Sequence, residues 1–436
     1  MDGSIALCES LAKVVAVVAP AFTGPSAETF CALMAGWVLA RARHTLTNMI
    51  RAAGLSCLKH YCSFHRLLSM ARWEPDDLWQ RWATMLVNRF HPQGDLVVLA
   101  DDTLLKHRGP KLHGAGMFRD GVQSAHQYTA FHWGHQWGVL AVAIRFRAWR
   151  HRVFSLPILA RLRAKGEPQT AVDRALEMLT VLCLWFPQRR ILFCGDGGYS
   201  SLVERQPARV SVITRIRHDA ELFELPAPRQ PHQKGAPRVR GPKIPGGPER
   251  IAQDSATAWT RCRVRIGSDL RWMEYHRLVA IWTRTRRQPV QVLIVRDPKH
   301  PDKIDYFLCT DLNLRPRRII ELYGRRWSIE RMFEDVKQHL GVEQPQVRTQ
   351  RSVERAAPLG LLLYGMIVYW YATLHRRPKL HRKDDWYRTK PHASFQDMLA
   401  AAREATWRER VLCRSAQGSD TKKLLSSLVT ALSGAA

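Results

Sequence analysis

Two short apolar runs, LVVLA at 96–100 and ILFCG at 191–195, constrain this chain more than anything else in it. Each reads as a strand buried on both faces, and each runs straight into aspartate: Asp101-Asp102 after the first, Asp196 after the second. Between them lie a hairpin-like pair, QWGVLAVAIRFRAW and VFSLPIL, turned at the basic corner Arg150, His151 and Arg152. An amphipathic helix, QTAVDRALEMLTVLCLWF (169–186), follows. Buried strands joined through a helix predict an open α/β sheet, and such sheets collect chemistry at the carboxyl ends of their strands. Both strands are expected to end at their aspartates.

At 436 residues the chain exceeds one ordinary core, so two or three domains are expected. Residues 1–93 read as helices, among them SAETFCALMAGWVLARAR, HTLTNMIRAAGL and EPDDLWQRWATMLVNRF, the last with Pro75 at its head. From 208 to 310 the pattern changes to short strand-like segments such as RVSVITRIR, RCRVRI, HRLVAIWTR and QVLIVRD. The Pro/Gly/Arg-rich stretch PAPRQPHQKGAPRVRGPKIPGGPER among them is expected to be a loop. APLGLLLYGMIVYWYATL (357–374) has the length of a membrane span, but it is a single segment carrying four aromatic rings close behind a charged helix. It is read as a helix buried against a sheet. No basic region precedes the weakly apolar N-terminal stretch, which excludes a secretory signal there.

The charge balance narrows the partner. Lys and Arg number 67 against 38 Asp and Glu, a formal net charge of +29. Such an excess favours a polyanion, nucleic acid before membrane, because no basic amphipathic helix stands out as an anchor. Nine scattered cysteines form no framework and read as reduced thiols of a cytosolic protein. Cys57, His60, Cys62 and His65 offer zinc-type ligands, but a second pair at finger spacing is missing and a helical pattern would point them apart.

The stretch YGRRWSIERMFEDVK (323–337) lies in a pattern read as one helix from Pro316 to the residues before Gly341. On such a helix Tyr323, Arg326, Glu330 and Lys337 share an arc of roughly 60°. A solvated face of ordinary ion pairs is one reading of that stripe; a carboxylate set among groups that grip phosphate is the other. With Asp101 and Asp196, Glu330 makes three carboxylates without Cys or His. That donor set suits Mg²⁺ or Mn²⁺, two ions of which would activate an attacking oxygen and stabilise a leaving one at phosphorus.

These residues resemble a known family. The chain is similar to bacterial insertion-sequence transposases of the DDE class, in the superfamily with a Y-x2-R-x3-E-x6-K signature (insertion-sequence family four-like). Tyr323, Arg326, Glu330 and Lys337 match the signature at every spacing. Asp101-Asp102-Thr103 matches the family's D-x-T/S motif, and Asp196-Gly197-Gly198-Tyr199 its D-x-G-Y/F motif. The resemblance covers roughly residues 95–375. It implies an α/β fold: an RNase H-like mixed sheet with flanking helices, a helical N-terminal domain and a strand-rich insertion. The implied division is a helical domain at 1–93 for binding DNA ends, a core in two parts at 94–207 and 311–376, the insertion at 208–310, and a helical, basic tail at 377–436.

The resemblance also implies a chemistry. Asp101, Asp196 and Glu330 would hold two Mg²⁺ or Mn²⁺ ions, with Asp102 as the alternative to Asp101. The enzyme would cut at terminal inverted repeats and join the freed 3′-hydroxyls to target DNA. Tyr323, Arg326 and Lys337 would hold phosphates of the transposon end, and Lys106, Arg108 and Lys111 of KHRGPKLHG would approach the strand near the metals. The basic loop 234–243 suits backbone or minor-groove contact, and Trp259, Trp272 and Trp282 are candidates to stack on an unpaired base. The partner is double-stranded DNA, held by a homodimer in the cytoplasm at the nucleoid, with no membrane. Two rivals remain: a metal-dependent nuclease that does not join, and a non-catalytic DNA-binding derivative of a transposase.

Overall fold

A computed structural model describes residues 7–412 apart from 58, 126, 147, 148, 150, 231, 233, 286 and 376–391, together with residue 429. Five helices open the chain: α1 (Glu9–Ala16), α2 (Gly24–Leu39), α3 (Leu46–Ala52), α4 (Tyr61–Ser69) and α5 (Pro75–Phe90). Pro25 and Pro75 sit in the first turns of α2 and α5, where a missing amide proton costs nothing. The Thr45 hydroxyl accepts from Asn48 N and caps α3. These helices bury Trp37, Trp79 and Trp82, and the Trp82 indole donates to Pro157 O at 2.8 Å, fixing α5 to the sheet.

The sheet begins with β1 (Leu96–Lys106), β2 (Gly116–Arg119), β3 (Phe131–Phe146) and β4 (Arg152–Arg163). Helix α6 (Ala171–Trp185), with a full capping box between Thr170 and Asp173, carries the chain across to β5 (Ile191–Cys194). Then come β6 (Val210–Arg215), β7 (Leu222–Phe223), α7 (Gly247–Gln253), β8 (Thr260–Ile266), β9 (Asp269–Trp282), β10 (Pro289–Asp297) and β11 (His300–Cys309). The strand order is β2-β3-β1-β5-β6-β11-β10-β9-β7, with β4 on β3 and β8 on β9. β1–β5 and β5–β6 are parallel and the other pairs antiparallel. This is the RNase H-like mixed sheet. The strand-like segment 208–310 continues it, since β6 pairs with β5 and β11 pairs with β6.

Four helices follow: α8 (Pro316–Tyr323), α9 (Trp327–Leu340), α10 (Gln350–Leu374) and α11 (Phe395–Leu412). Helix α10 is long and apolar enough to cross a bilayer, yet most of it is buried inside the protein against β4, as the buried-helix reading expected. Of the segment 377–436, the structure describes 392–412 and residue 429; the remainder lies outside the described residues.

Two expectations are corrected. β1 does not end at its aspartates. It pairs with β5 only over Leu96–Leu99 and runs on to Lys106 against β3, so Asp101 and Asp102 lie within a strand, on opposite faces. The single helix from Pro316 to Gly341 is two: at Gly324–Arg326 the backbone bonds shorten to i→i+3, Arg325 N to Leu322 O and Arg326 N to Tyr323 O. Gly324 packs closely there, a Cβ on it coming 3.4 Å from Ile266 and 3.3 Å from Ile320 O. At the far end α9 stops in the left-handed Gly341 (φ 53°), where a Cβ would meet His44 Nδ1 at 2.8 Å.

One partly buried acid on α9 has a measurable consequence. Burial raises the Asp335 carboxyl to about 7, against the pull of Arg331 and Arg152. Between about pH 4 and 7 the unfolded chain gives up that proton while the folded one keeps it, so this group's contribution to stability falls as pH rises through that window. Asp335→Asn stays neutral throughout. Its melting temperature is expected to match wild type near pH 4 and exceed it above pH 7, by on the order of 3 kcal/mol in stability. Parallel melting curves across that range would remove this account of Asp335.

Candidate active site

Asp101, on β1, faces α9. Its Oδ2 accepts from Arg326 Nη1 at 3.1 Å, and its Oδ1 from Asp102 N at 2.9 Å. The same Nη1 lies 2.7 Å from Glu330 Oε1, one turn along α9, so one guanidinium is shared by two carboxylates that the chain separates widely. Asp196 follows β5. Its Oδ1 accepts from Gly198 N at 2.9 Å and its carbonyl from the Thr214 hydroxyl at 2.6 Å. Burial is the main cause that lifts the Asp101 carboxyl to about 7; Arg326 and the Asp102 amide oppose it, and the charges of Asp196 and Glu330 add to it. Asp196 and Glu330 thus both act on Asp101, which lies inside β1 just past the point where β5 ends.

Asp102 points to the other face. Its Oδ1 accepts from the Tyr199 hydroxyl at 2.7 Å and its Oδ2 from Gln136 Nε2 at 3.4 Å. A Cβ on Gly138 of β3 would come within 3.2 Å of that Oδ1, so the glycine leaves room for the carboxylate. Tyr199 is itself buried, its hydroxyl held well above its ordinary pKa by burial and by Asp102, so it stays a donor. The tyrosine of the D-G-G-Y segment thus meets Asp102, not Asp101.

The basic residues divide into two groups. Tyr323 is buried, its ring 4.6 Å from that of Phe307 and under the guanidiniums of Arg215 and Arg326, each 5.8 Å from its centre. Arg326 keeps a buried Nε with no partner. Lys337 stands apart from this pair, with Lys106: the Lys106 amine is 2.7 Å from Asp120 Oδ2 and its backbone N donates to Glu343 Oε1 at 2.8 Å. Burial lowers the Lys337 amine, while the charges of Glu343 and Asp120 hold it up. Arg108 and Lys111 are exposed in the loop after β1. The split of the expected helix at Gly324 separates Tyr323 from the stripe of α9.

Three residues were not among those expected. Trp327, at the start of α9, is 63% exposed with Arg326 lying 5.7 Å from its ring centre. An aromatic out of phase with the buried stripe Ile329, Met332, Phe333, Val336 and Leu340 was the available signal. Asp120 and Glu343, which steady Lys106, carried none. Of the insertion tryptophans, Trp282 is buried, Trp259 lies under Arg296 (3.9 Å), and Trp272 is 51% exposed.

The donor set is all hard oxygen, as Mg²⁺ or Mn²⁺ prefers, and a cation, Arg326, already bridges two of its members. Among the described residues, no three His, Cys, Asp or Glu side chains stand close enough to hold a metal ion, and Arg326 accounts for the gap between Asp101 and Glu330. The residues fit a divalent ion in charge and chemistry once Arg326 withdraws. The cysteines described are free thiols; Cys62 is exposed, and the Cys57 side chain lies outside the described residues.

A mixed RNase H-like sheet with acids gathered on β1, after β5 and on a helix across them is the architecture of enzymes that act on nucleic-acid phosphodiesters. The chain belongs to the DDE superfamily endonucleases, whose family model matches residues 19–271. Residues 274–362 match a second family model, described as archaeal putative transposase ISC1217. The first match includes Asp101 and Asp196 and the second Glu330, the two meeting within β9. No curated protein matches the chain.

Proposed function

We propose that the chain is a DNA transposase that cuts at the terminal inverted repeats of its element and joins the freed 3′-hydroxyls to target DNA. The observation that carries this reading is the Arg326 guanidinium, 225 residues from Asp101 in sequence, clasped between Asp101 and Glu330 where the charge of Asp196 is also felt. Asp101, Asp196 and Glu330 would hold the divalent ions, Mg²⁺ or Mn²⁺. Bound there, those ions would supply an activated attacking oxygen and charge neutralisation at the leaving oxygen. Asp102, committed to Tyr199 on the other face, positions the strand instead. Were metal to engage Asp101 and Glu330, Arg326 would be free to take a phosphate oxygen of the transposon end, with its buried, unpartnered Nε as a second donor. Lys337 and Lys106 would contact the strand beyond it, and exposed Trp327 would stack on a base there.

The direct test is incubation with linear DNA carrying the element's own ends and Mg²⁺, with nicked, hairpin and joined products resolved separately. Joined product supports the transposase; nicked ends alone would reduce the protein to a nuclease. The net charge of +29 carries a companion expectation for partner and setting. Affinity for any duplex is expected to fall on the order of a thousandfold between 50 and 200 mM salt, as phosphate contacts release counterions. A salt-insensitive complex, or preference for anionic vesicles over DNA, would contradict it.

A further inference from the structure

The ribbon formed by β2 and the start of β3 turns an apolar and basic face to solvent. Met117 stands opposite Trp133, and Arg119 opposite Phe131, so these four side chains share one face of the ribbon. Phe131 is 56% exposed and Met117 49%, and Arg119 is exposed beside them. The other face is packed: Phe118 is buried, with the Arg163 guanidinium 5.4 Å and the Lys165 amine 5.6 Å from its ring centre. The turn beyond the ribbon carries two further exposed side chains, Val122 and Tyr128. Large apolar groups gathered in one exposed patch point to something that covers them.

Hydrogen bonds hold this display in place. Asp120 Oδ1 accepts from Val122 N at 2.9 Å and Gln123 N at 3.2 Å, and the Ser124 hydroxyl donates to Asp120 O at 2.6 Å. The Trp133 indole donates to Gly109 O at 3.0 Å, which ties the loop of Arg108 and Lys111 to the patch. Strand alternation sets the direction of the face. From Val139, opposite Asp101, β3 runs in unbroken register on β1 and then β2 as far as Phe131. Every second residue of that run, through His135 and Trp133, therefore lies on the face of the sheet that carries Asp101. Trp133 is six residues from Val139 and Phe131 eight, so the patch lies about 20–26 Å from Asp101 along the strand, roughly six to eight base pairs of duplex.

We propose that this face is a wedge for DNA: Phe131 and Met117 enter the base stack of the duplex that is cut at Asp101, at that distance from the cut, while Arg119 takes a flanking phosphate. The proposal rests on the reading of the chain as a DNA-cutting enzyme. Charge selects the occupant. Residues 106–133 carry Lys106, Arg108, Lys111 and Arg119 against the single acid Asp120, whose Oδ2 lies 2.7 Å from the Lys106 amine. A second copy of a chain with net charge +29 would bring like charge to the patch, whereas a polyanion neutralises it. A place on the face of Asp101 favours the DNA being cut over an anionic membrane.

The experiment titrates the full chain, without metal, onto element-end duplexes that carry one mismatch at successive positions. A mismatch lowers the cost of unstacking. Wild type is therefore expected to bind about tenfold tighter than to the matched duplex when the mismatch lies roughly six to eight base pairs from the cut. The double variant Met117→Ala, Phe131→Ala is expected to bind the matched end about tenfold more weakly than wild type and to prefer no mismatch. 2-Aminopurine at the same step is expected to brighten with wild type and to stay quenched with the double variant. Phe131→Leu, which keeps an apolar wedge, is expected to retain both signals. Equal affinity and equal mismatch preference in wild type and the double variant overturn the wedge. So does a double variant that loses binding to anionic vesicles with its DNA affinity unchanged, which assigns the face to a membrane. Cleavage with Mg²⁺ is scored on the same ends. Wild-type cleavage without a mismatch preference removes the wedge and leaves the proposed function standing, while failure to bind the ends at all removes both.

Discussion

Glu330→Gln is expected to lose Mg²⁺-dependent cleavage by a factor on the order of a thousand or more, while binding to element ends stays near wild type. An amide keeps the size of the side chain but is a poor ligand for a hard cation, and it no longer pairs with Arg326. Asp101→Asn and Asp196→Asn are expected to fail in the same way. Asp102→Asn provides the contrast: its oxygen still accepts from Tyr199, so a partial loss is expected, traceable to a shifted strand. The measurement is product formation from labelled element ends, beside a gel-shift titration of the same proteins. Full cleavage by any one of the first three variants removes that residue from the metal site. A dead Asp102→Asn beside an active Asp101→Asn would move the site to the other face of β1.

Arg326→Ala separates two roles that a purely static view would merge. Because its guanidinium lies between Asp101 and Glu330, removing it is expected to tighten Mn²⁺ binding to the DNA-free protein by about tenfold, read by calorimetry or the Mn²⁺ spin signal. The same variant is expected to lose about a hundredfold in the steps that hold the cut end, through the missing charge-assisted phosphate contact. Lys337→Ala, outside the acid cluster, is expected to show the second effect without the first. Unchanged metal affinity in Arg326→Ala would show that the arginine does not compete with the ion. Wild-type rates at every step in both variants would leave α9 with an ordinary charged face.

Much of this architecture was legible because apolar periodicity reports burial. LVVLA and ILFCG became neighbouring parallel strands, the segment 169–186 became α6, and the apolar run at 357–374 became a helix buried inside the fold. The ends of elements were less legible. Nothing in DDTLLK separates a strand that stops at Asp101 from one that continues against β3, because its partner, Gly134–Val139, is supplied by tertiary pairing. Helical periodicity likewise runs through GRR, and only the packing of Gly324 on Ile266 marks the break. Spacing put Arg326 and Glu330 on one stripe, but the bridge from Arg326 to Asp101 depends on how α9 lies across β1. Asp102 and Tyr199 could not be paired from sequence, since their contact crosses the face of two strands.

β6 and β11 face each other over Ile213–Arg215 and Phe307–Cys309, and the joint is prolonged by Ile216 N to Tyr306 O and Thr310 N to Val212 O. Asp101 and Asp196 belong to one side of that seam. Glu330 lies over the same side but is strung from the other, because the chain leaves β11 and turns almost at once into α8 and α9. The third acid is thus moored by a short strap to a lobe that does not carry the other two.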